Sequence, residues 1–424
     1  MEKIAIVGTG IAGLGCAYFL NPRYELTLFE QNDYAGGHSN TVDVNDHGRP
    51  APVDTGFMVF NRATYPNLCR LFSELRVQPK NTDMSFSVQH RPTRTEFAGS
   101  SVNHLFAQRR NLFRPRHWRM LMQINRFNSE AVAALEDGSA AQLTLQEFVD
   151  RQNYGRDFMD LYLVPMSSAV WSTPPDLMMQ FPAATLLRFF HNHGFLGLNT
   201  QHQWLTLDGG ARTYVKQITK RLTKPVRLQR KVTAVTRASN GVTIRTDDGE
   251  AHRFDRVIMA AHADQSLAML KDADQLEREL ICEFKYQHNV ATLHTDESLM
   301  PQAKLAWSSW NYRVEFDSTG AIKPMTVYWM NQLQGVSEKT NYFVSINGAD
   351  EVDPAKVIRR IDYEHPIFSL GAMKAQDRLH LLNNRGAGNR VFFCGAWFKY
   401  GFHEDGFTSA LECCRGLTGE RIWE

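Results

Sequence analysis

The sequence predicts an α/β protein: a parallel sheet wound with helices and carrying a β-meander, interleaved in the chain with an α+β lobe. Three observations point to this. The chain opens with an unbroken apolar strand that runs through a glycine-rich turn into a helix, short strands with turn signals fill its middle, and an apolar strand and a helix close it. At 424 residues it exceeds one ordinary core, since cores stop growing near roughly 250–300 residues. Hydrophobic residues at 43% and charged residues at 22% exclude a disordered or fibrous chain. A formal net charge of +2 gives no whole-molecule argument for nucleic acid as a partner.

Taken in order, residues 3–8 (Lys-Ile-Ala-Ile-Val-Gly) lack polar alternation, as a strand covered on both faces requires. A helix is predicted from Ile11 to about Leu20 and a second strand from Tyr24 to Glu30, completing a βαβ unit. From roughly 80 to 195 helices dominate the pattern, with Thr144 and Glu147 spaced as a capping box. Pro182 to His193 reads as a helix with Gly194 past its end. Between Pro225 and Ala260 short strands are broken at Asn240-Gly241 and Asp248-Gly249 and close in Val257-Ile258-Met259-Ala260, a meander returning to the parallel sheet. Residues 280–350 are strand-like and aromatic, and a strand from Val391 to Cys394 precedes a terminal helix from about Gly406. The six cysteines lack CxxC spacing and predict neither a disulfide framework nor a zinc site. No run of 18 apolar residues occurs, and the N-terminus reads as strand, turn and helix, so the expected location is cytoplasmic.

Gly8-Thr9-Gly10-Ile11-Ala12-Gly13 is a GxGxxG at the first strand-to-helix turn. Gly8 permits the tight turn, Gly10 lets a pyrophosphate approach the backbone, and Gly13 lets helix and strand pack closely. Glu30, followed by Gln31, ends the second strand where it can accept hydrogen bonds from an adenosine ribose, and it would repel a 2′-phosphate. The motif alone is weak; its strand, helix and acidic residue supply the context it needs. A second small-residue loop, Gly36-Gly37-His38-Ser39-Asn40-Thr41, is able to return to the pyrophosphate, which is a flavin feature. Val53-Asp54-Thr55-Gly56-Phe57 adds a third turn, and Cys394-Gly395-Ala396 and Gly401 to Phe407 add more near the C-terminus.

These motifs, with Asp208-Gly209-Gly210 before a helix, make the chain resemble the flavin-containing amine oxidoreductase superfamily of monoamine oxidases, protoporphyrinogen oxidase and phytoene desaturases. Residues 54–61 and 328–331 are similar to a bacterial branch of NAD/FAD-binding amine-oxidase-like proteins that often accompany fatty-acid-modifying enzymes. The resemblance implies a glutathione-reductase-like FAD-binding Rossmann domain over 1–80, 196–265 and 370–424. It implies a substrate domain with a helical insertion over 81–195 and 266–369. It implies dissociable, non-covalent FAD held by Gly8, Gly10, Ile11, Ala12, Gly13, Glu30, Gln31, Gly36, Gly37, His38, Thr41, Gly56, Phe57 and Met58. Val232 is expected at the adenine and Gly395 and Ala396 at the ribityl and pyrophosphate. The helix opening at Asp405, Gly406 and Phe407 is expected to aim its N-terminus at flavin N1 and the C2 carbonyl, favouring hydride acceptance at N5.

The chain also departs from the family pattern. The strand Tyr286 to Ala291 lacks the lysine that holds a water near flavin N5 in monoamine-type members, and neither Lys285 nor Lys304 replaces it convincingly. Phe402 stands where a tyrosine is usual, with Tyr400, Trp310 and Tyr328 able to build another aromatic wall. His38 replaces an arginine and loses a permanent cation. His288 is the candidate proton-handling group, or else a core histidine, and the aromatic residues Trp307, Trp310, Tyr328 and Trp329 serve either substrate or core. His403-Glu404-Asp405 fits a flavin loop better than a metal site, so no metal is expected.

Between Glu96 and Glu130 there is no acidic residue, while Arg109, Arg110, Arg114, Arg116, Arg119 and Arg126 alternate with Leu112, Phe113, Trp118, Met120 and Leu121. This stretch is either a solvated helix face with snorkelling arginines or a peripheral contact with the inner face of a membrane. Three functions stay open. The first is an FAD-dependent oxidoreductase moving hydride from an apolar, lipid or fatty-acyl substrate to flavin N5. The others are a true amine oxidase releasing aldehyde and peroxide, and a non-redox flavin-dependent isomerase or binding module.

Overall fold

A strand without polar alternation needs apolar cover on both faces, and the fold provides it from two different parts of the chain. A computed structural model describes residues 1–21, 23–197, 200–316, 320, 322–386 and 388–423. Its first sheet is parallel throughout, in the order Val391–Phe393, Arg256–Met259, Lys3–Val7, Glu25–Phe29. Ile4, Ile6, Leu26, Leu28 and Ile258 point to one side, where the helices Ile11–Leu20 and His403–Thr418 cover them. Ala5, Val7, Val257 and Met259 point to the other, where Val235 and Ile244 of the antiparallel meander Val232–Ala238, Gly241–Thr246, Ala251–Phe254 cover them. The register sets Val7 opposite both Phe29 and Met259, and Met259 opposite Phe393. The four strands therefore end at a common edge, and the four loops that follow them start together.

The second lobe is a seven-stranded sheet in the order Val357–Ile367, Lys285–His294, Phe343–Ile346, Ile322–Trp329, Trp310–Phe316, Phe86–His90, Thr95–Ala98. All its pairings are antiparallel except Trp310–Phe316 with Phe86–His90. The last two strands correct the expectation that helices dominate from residue 80, because helices begin only at Val102. Their β-structure depends on a partner more than two hundred residues away (Ser87 pairs with Asn311), which local propensity does not register. The helical insertion includes Pro115–Glu136, Leu145–Gln152, Val164–Trp171 and Ala183–Asn192, packed on Phe127, Phe148, Phe158, Phe181 and Phe190. Its expected capping box forms: Glu147 N–H donates to Thr144 Oγ1 at 3.2 Å and Thr144 N–H to the Glu147 carboxylate at 2.8 Å. Among the described residues no helix is long and apolar enough to cross a membrane.

Cysteines scattered in sequence are not scattered in space. Cys16, Cys394 and Cys413, from two helices and the end of a strand, bring their sulfurs within 4.8 Å of one another, all fully buried. All six cysteines are free thiols. In the native protein a thiol reagent is expected to label exposed Cys282 quickly and half-buried Cys69 slowly, with Cys16, Cys394, Cys413 and Cys414 reacting only after unfolding. Mass-spectrometric mapping of the labelled sites checks this, and native labelling of any of the last four would contradict their burial.

Candidate active site

The loops that leave the common sheet edge open on a cavity of about 1130 Å³, above the roughly 300–1,000 Å³ of ordinary small-molecule pockets. Gly8 lies at φ +100°, and a Cβ there would sit 2.8 Å from the Ala260 carbonyl oxygen. A Cβ on Gly10 would meet nothing within 4 Å, so the backbone at the helix start is bare toward the cavity. The second and third glycine turns stack on the first. Gly36 N–H donates to the Thr9 carbonyl at 3.1 Å, a Cβ on Gly37 would lie 3.2 Å from Gly10 Cα, and one on Gly56 would lie 2.3 Å from the His38 carbonyl oxygen. Phe57 N–H donates to that same carbonyl at 2.7 Å.

Glu30 is buried at the end of its strand, and its carboxylate accepts from Thr9 N–H at 3.1 Å and Asn32 N–H at 3.0 Å. Gln31 and Val232 line the cavity beside it, as do Ile11, Ala12, Met58, Gly395 and Ala396 farther along. The meander is tied there by Glu30 N–H to the Arg227 carbonyl at 3.0 Å and Arg230 N–H to the Glu30 carbonyl at 2.8 Å.

Six residues expected at the cofactor do not line the cavity. A Cβ on Gly13 would lie 2.0 Å from the Gly8 carbonyl oxygen, so this glycine serves the helix-to-strand contact. Gly36 and Thr41 brace the loops: Thr41 Oγ1 donates to buried Asp54 and accepts from Arg212 N–H at 3.0 Å. Asp54 also accepts from Ala211 N–H at 3.0 Å and Gln334 Nε2 at 2.6 Å, and burial pushes its pKa up to about 6. Asp405 caps its own helix by accepting from Phe402 N–H at 2.9 Å, and burial pushes its pKa up to about 7. Gly406 allows close approach to Ile11, whose Cγ2 would lie 2.8 Å from an added Cβ. Phe407 is a correction: its ring is fully buried against Gly15 and Phe19, behind the helix and away from the cavity. Of this helix His403, at its first position, lines the cavity, next to Phe402 just before it.

Imidazoles line the site where relatives carry a permanent cation, as His38 in place of arginine led one to expect. His38 stacks on Tyr363 at 4.6 Å, with His365 at 5.2 Å, and its enclosed Nε2 has no partner within the protein. Burial holds His38 well below the ordinary histidine range and takes His365 to about 4 and His403 to about 3. His403 stacks on Phe57 at 3.7 Å and bonds Ser39 Oγ at 2.8 Å. Glu404 turns away to accept from Asn67 and Leu68 N–H, so His403, Glu404 and Asp405 diverge and share no ligand point. His288 is a second correction: it is exposed at the cavity rim and bonds Asp362 at 2.9 Å, so it is neither a core histidine nor an enclosed proton carrier.

Trp310 and Tyr328 face each other across neighbouring strands at 5.4 Å, edge to face, and Phe402 stacks on Phe189 at 4.8 Å; all four line the cavity. Lys285 and Lys304 do not line it, and Lys304 lies 3.5 Å over the Trp307 ring. Sequence reasoning missed Trp171, Phe189, Tyr363 and His365 as cavity residues. The last two lie on the strand Val357–Ile367, whose residues 361–366 all line the cavity. Trp171 and Phe189 had no signal, because a buried helical aromatic carries no local mark of whether it faces core or cavity.

The orphaned His38 Nε2, the bare backbone at Gly10 and the buried Glu30 carboxylate fit the polar demands of pyrophosphate and ribose, and the long cavity fits a dinucleotide. Fold and site thus define an α/β protein whose cavity joins glycine-rich loops to aromatic side chains. The chain belongs to the flavin-containing amine oxidoreductase family, whose model matches residues 11–364. Its cofactor is accordingly a flavin. The same fold occurs in the CLA-producing fatty acid isomerase from P. acnes, at TM-score 0.66 and 14% identity over 96% of this chain and 97% of that one. It occurs also in cyclohexylamine oxidase from Brevibacterium oxydans IH-35A, at TM-score 0.66 and 13% identity over 98% and 99%. A curated relative, 1-hydroxycarotenoid 3,4-desaturase from Flavobacterium sp. (strain P99-3), is 42% identical over 48 residues, which span 11% of this chain and only 10% of the desaturase.

Proposed function

We propose that the protein is an FAD-dependent oxidoreductase that oxidises an apolar, acyl-chain-like substrate. The observation that carries this is the uncharged character of the chamber's aromatic end. Val170, Trp171, Phe189, Trp310, Tyr328 and Phe402 line the cavity, and none of these six carries a charge. The charged lining residues lie on the loops of the nucleotide-binding lobe, such as Glu30, Arg230 and Lys271, or on the strand Val357–Ile367, as Arg359, Asp362 and Glu364 do. An ammonium group buried there would have no carboxylate to pair with, whereas an alkyl or polyene chain gains on the order of 25 cal/mol per Å² of apolar surface removed from water. Bound FAD would supply the hydride acceptor. The aromatic walls would orient the chain against it and exclude water, and the neutral His403, His38 and His365 would provide hydrogen-bonding groups without adding charge.

The fold by itself does not choose, since it houses both a fatty acid isomerase and an amine oxidase among its solved relatives. Anaerobic mixing of the FAD-loaded protein with fatty acyl or polyene compounds is expected to bleach the visible flavin band, and putrescine or cyclohexylamine is expected to leave it unchanged. Bleaching by the amines alone would overturn the reading. Double-bond migration at unchanged oxidation state, made only with reduced flavin, would replace it with isomerisation.

A further inference from the structure

The segment without acidic residues folds into one surface feature that the chamber does not use. Residues 109–113 form a single 3₁₀ turn, Arg109–Phe113, which leads directly into the long helix Pro115–Glu136. Trp118 Nε1 donates to the Leu112 carbonyl at 2.9 Å and its ring lies 5.0 Å from Phe106, so turn and helix are one unit. The helix buries His117, Met120, Phe127, Ala131 and Ala134 toward the lobe. On its other side apolar residues stand in solvent: Phe113 is 86% exposed, Met122 64% and Trp118 46%, with Leu112 at 42%. Trp118 and Met122 are four residues apart and share a helix face.

A solvated face with snorkelling arginines would keep its apolar groups covered and its cations outermost. Here the rings and the methionine protrude, and most of the cations among them are not neutralised. Arg116 pairs with Asp157, and Arg126 with Glu130. Among the described residues no ion pair engages Arg109, Arg110, Arg114 or Arg119, and Arg109 and Arg110 donate to backbone carbonyls and amide side chains. Protruding apolar groups ringed by guanidinium groups that form no ion pair match an anionic lipid surface, where the rings enter the acyl boundary and the cations meet the phosphates. We infer that the 109–122 surface is a docking element for anionic membranes, through which the protein sits peripherally on a lipid bilayer. Charge complementarity selects this occupant: a neutral bilayer would leave the cations without partners, and a nucleic acid would leave Phe113 and Met122 in water.

The test uses the FAD-loaded full chain and reads binding without turnover, so its outcome is separate from that of the oxidation assay. Sedimentation with vesicles of phosphatidylcholine containing about a third phosphatidylglycerol is expected to carry the protein down in low salt. High salt should release it, and pure phosphatidylcholine should not bind it. Arg109→Gln with Arg110→Gln and Arg119→Gln should weaken partitioning about a hundredfold, and Phe113→Ser with Met122→Ser should weaken it at least tenfold. These side chains are exposed, so both variants should keep flavin absorbance and melting temperature, which establishes that they are folded. Equal binding to neutral vesicles, no binding to anionic ones, unchanged partitioning of the arginine variant, or a preference for DNA over vesicles would each overturn the inference.

Discussion

Gly13→Val is expected to yield a colourless protein that no longer retains FAD. A Cβ at this position would lie 2.0 Å from the Gly8 carbonyl oxygen and 3.3 Å from Ala260 Cβ. Backbone cannot yield as a flexible side chain can, so helix Ile11–Leu20 must move off the strand that it follows. Overpacking of this kind costs about 1–3 kcal/mol and more when the backbone is the obstacle. The same shift would separate Gly10 from Gly37 and pull apart the stacked loops. Gly10→Ala separates binding from folding, because its Cβ would meet nothing within 4 Å. That variant should melt within about 1 kcal/mol of the parent and bind FAD at least tenfold more weakly, its methyl standing where the pyrophosphate approaches. Flavin titration of the two purified apoproteins checks both. Unchanged affinity in Gly10→Ala would remove the pyrophosphate from this turn.

Acidification from pH 7 toward 4 is expected to destabilise the protein by several kcal/mol. Burial depresses His193, His294 and His365 to about 4 and His403 to about 3, and lowers His38 as well. Their unfolded counterparts titrate near 6.5. Between about 6.5 and 4 the unfolded chain therefore binds protons that the fold refuses, and stability falls as the pH falls. Asp54 and Asp405 act in the opposite sense. Raised to about 6 and about 7, they take up protons in the fold before the unfolded carboxyls do, near 3.9. With His90 and His117 also lowered and Glu404 also raised, seven histidines outnumber three carboxyls, which sets the sign. Urea midpoints at pH 7, 6 and 5 should decline in that order, and His403→Gln should flatten the decline. Midpoints that rise on acidification would mean that the carboxyls prevail.

The glycine turn and acidic residue that line one part of the cavity were legible in the sequence because they are local. Gly8 to Gly13 form one turn, Glu30 ends the next strand, and the resemblance assigned the more distant glycines to the same cofactor. Its errors share one cause. Phe407 was read from its place at a helix start, but a helix start has a core side as well as a cavity side, and the ring lies on the core side. His288 was read from its place on a strand, but strand and cavity diverge there, leaving it at the rim with Asp362. The stacking of His38 on Tyr363 joins residues more than three hundred positions apart, and no local pattern records such a contact.

By itself the sequence determined the βαβ unit, the meander, the class of cofactor and the presence of an acid-free basic segment, since each depends on periodicity, turn chemistry or a motif within a few tens of residues. Tertiary structure alone decided that Trp171, Phe189, Trp310, Tyr328 and Phe402 meet in one cavity, that burial holds His38, His365 and His403 below the ordinary histidine range, that three distant cysteines meet, and that Phe113 and Met122 stand in solvent. Those properties depend on which faces meet across the fold, and burial and charge state follow from that meeting and not from residue order.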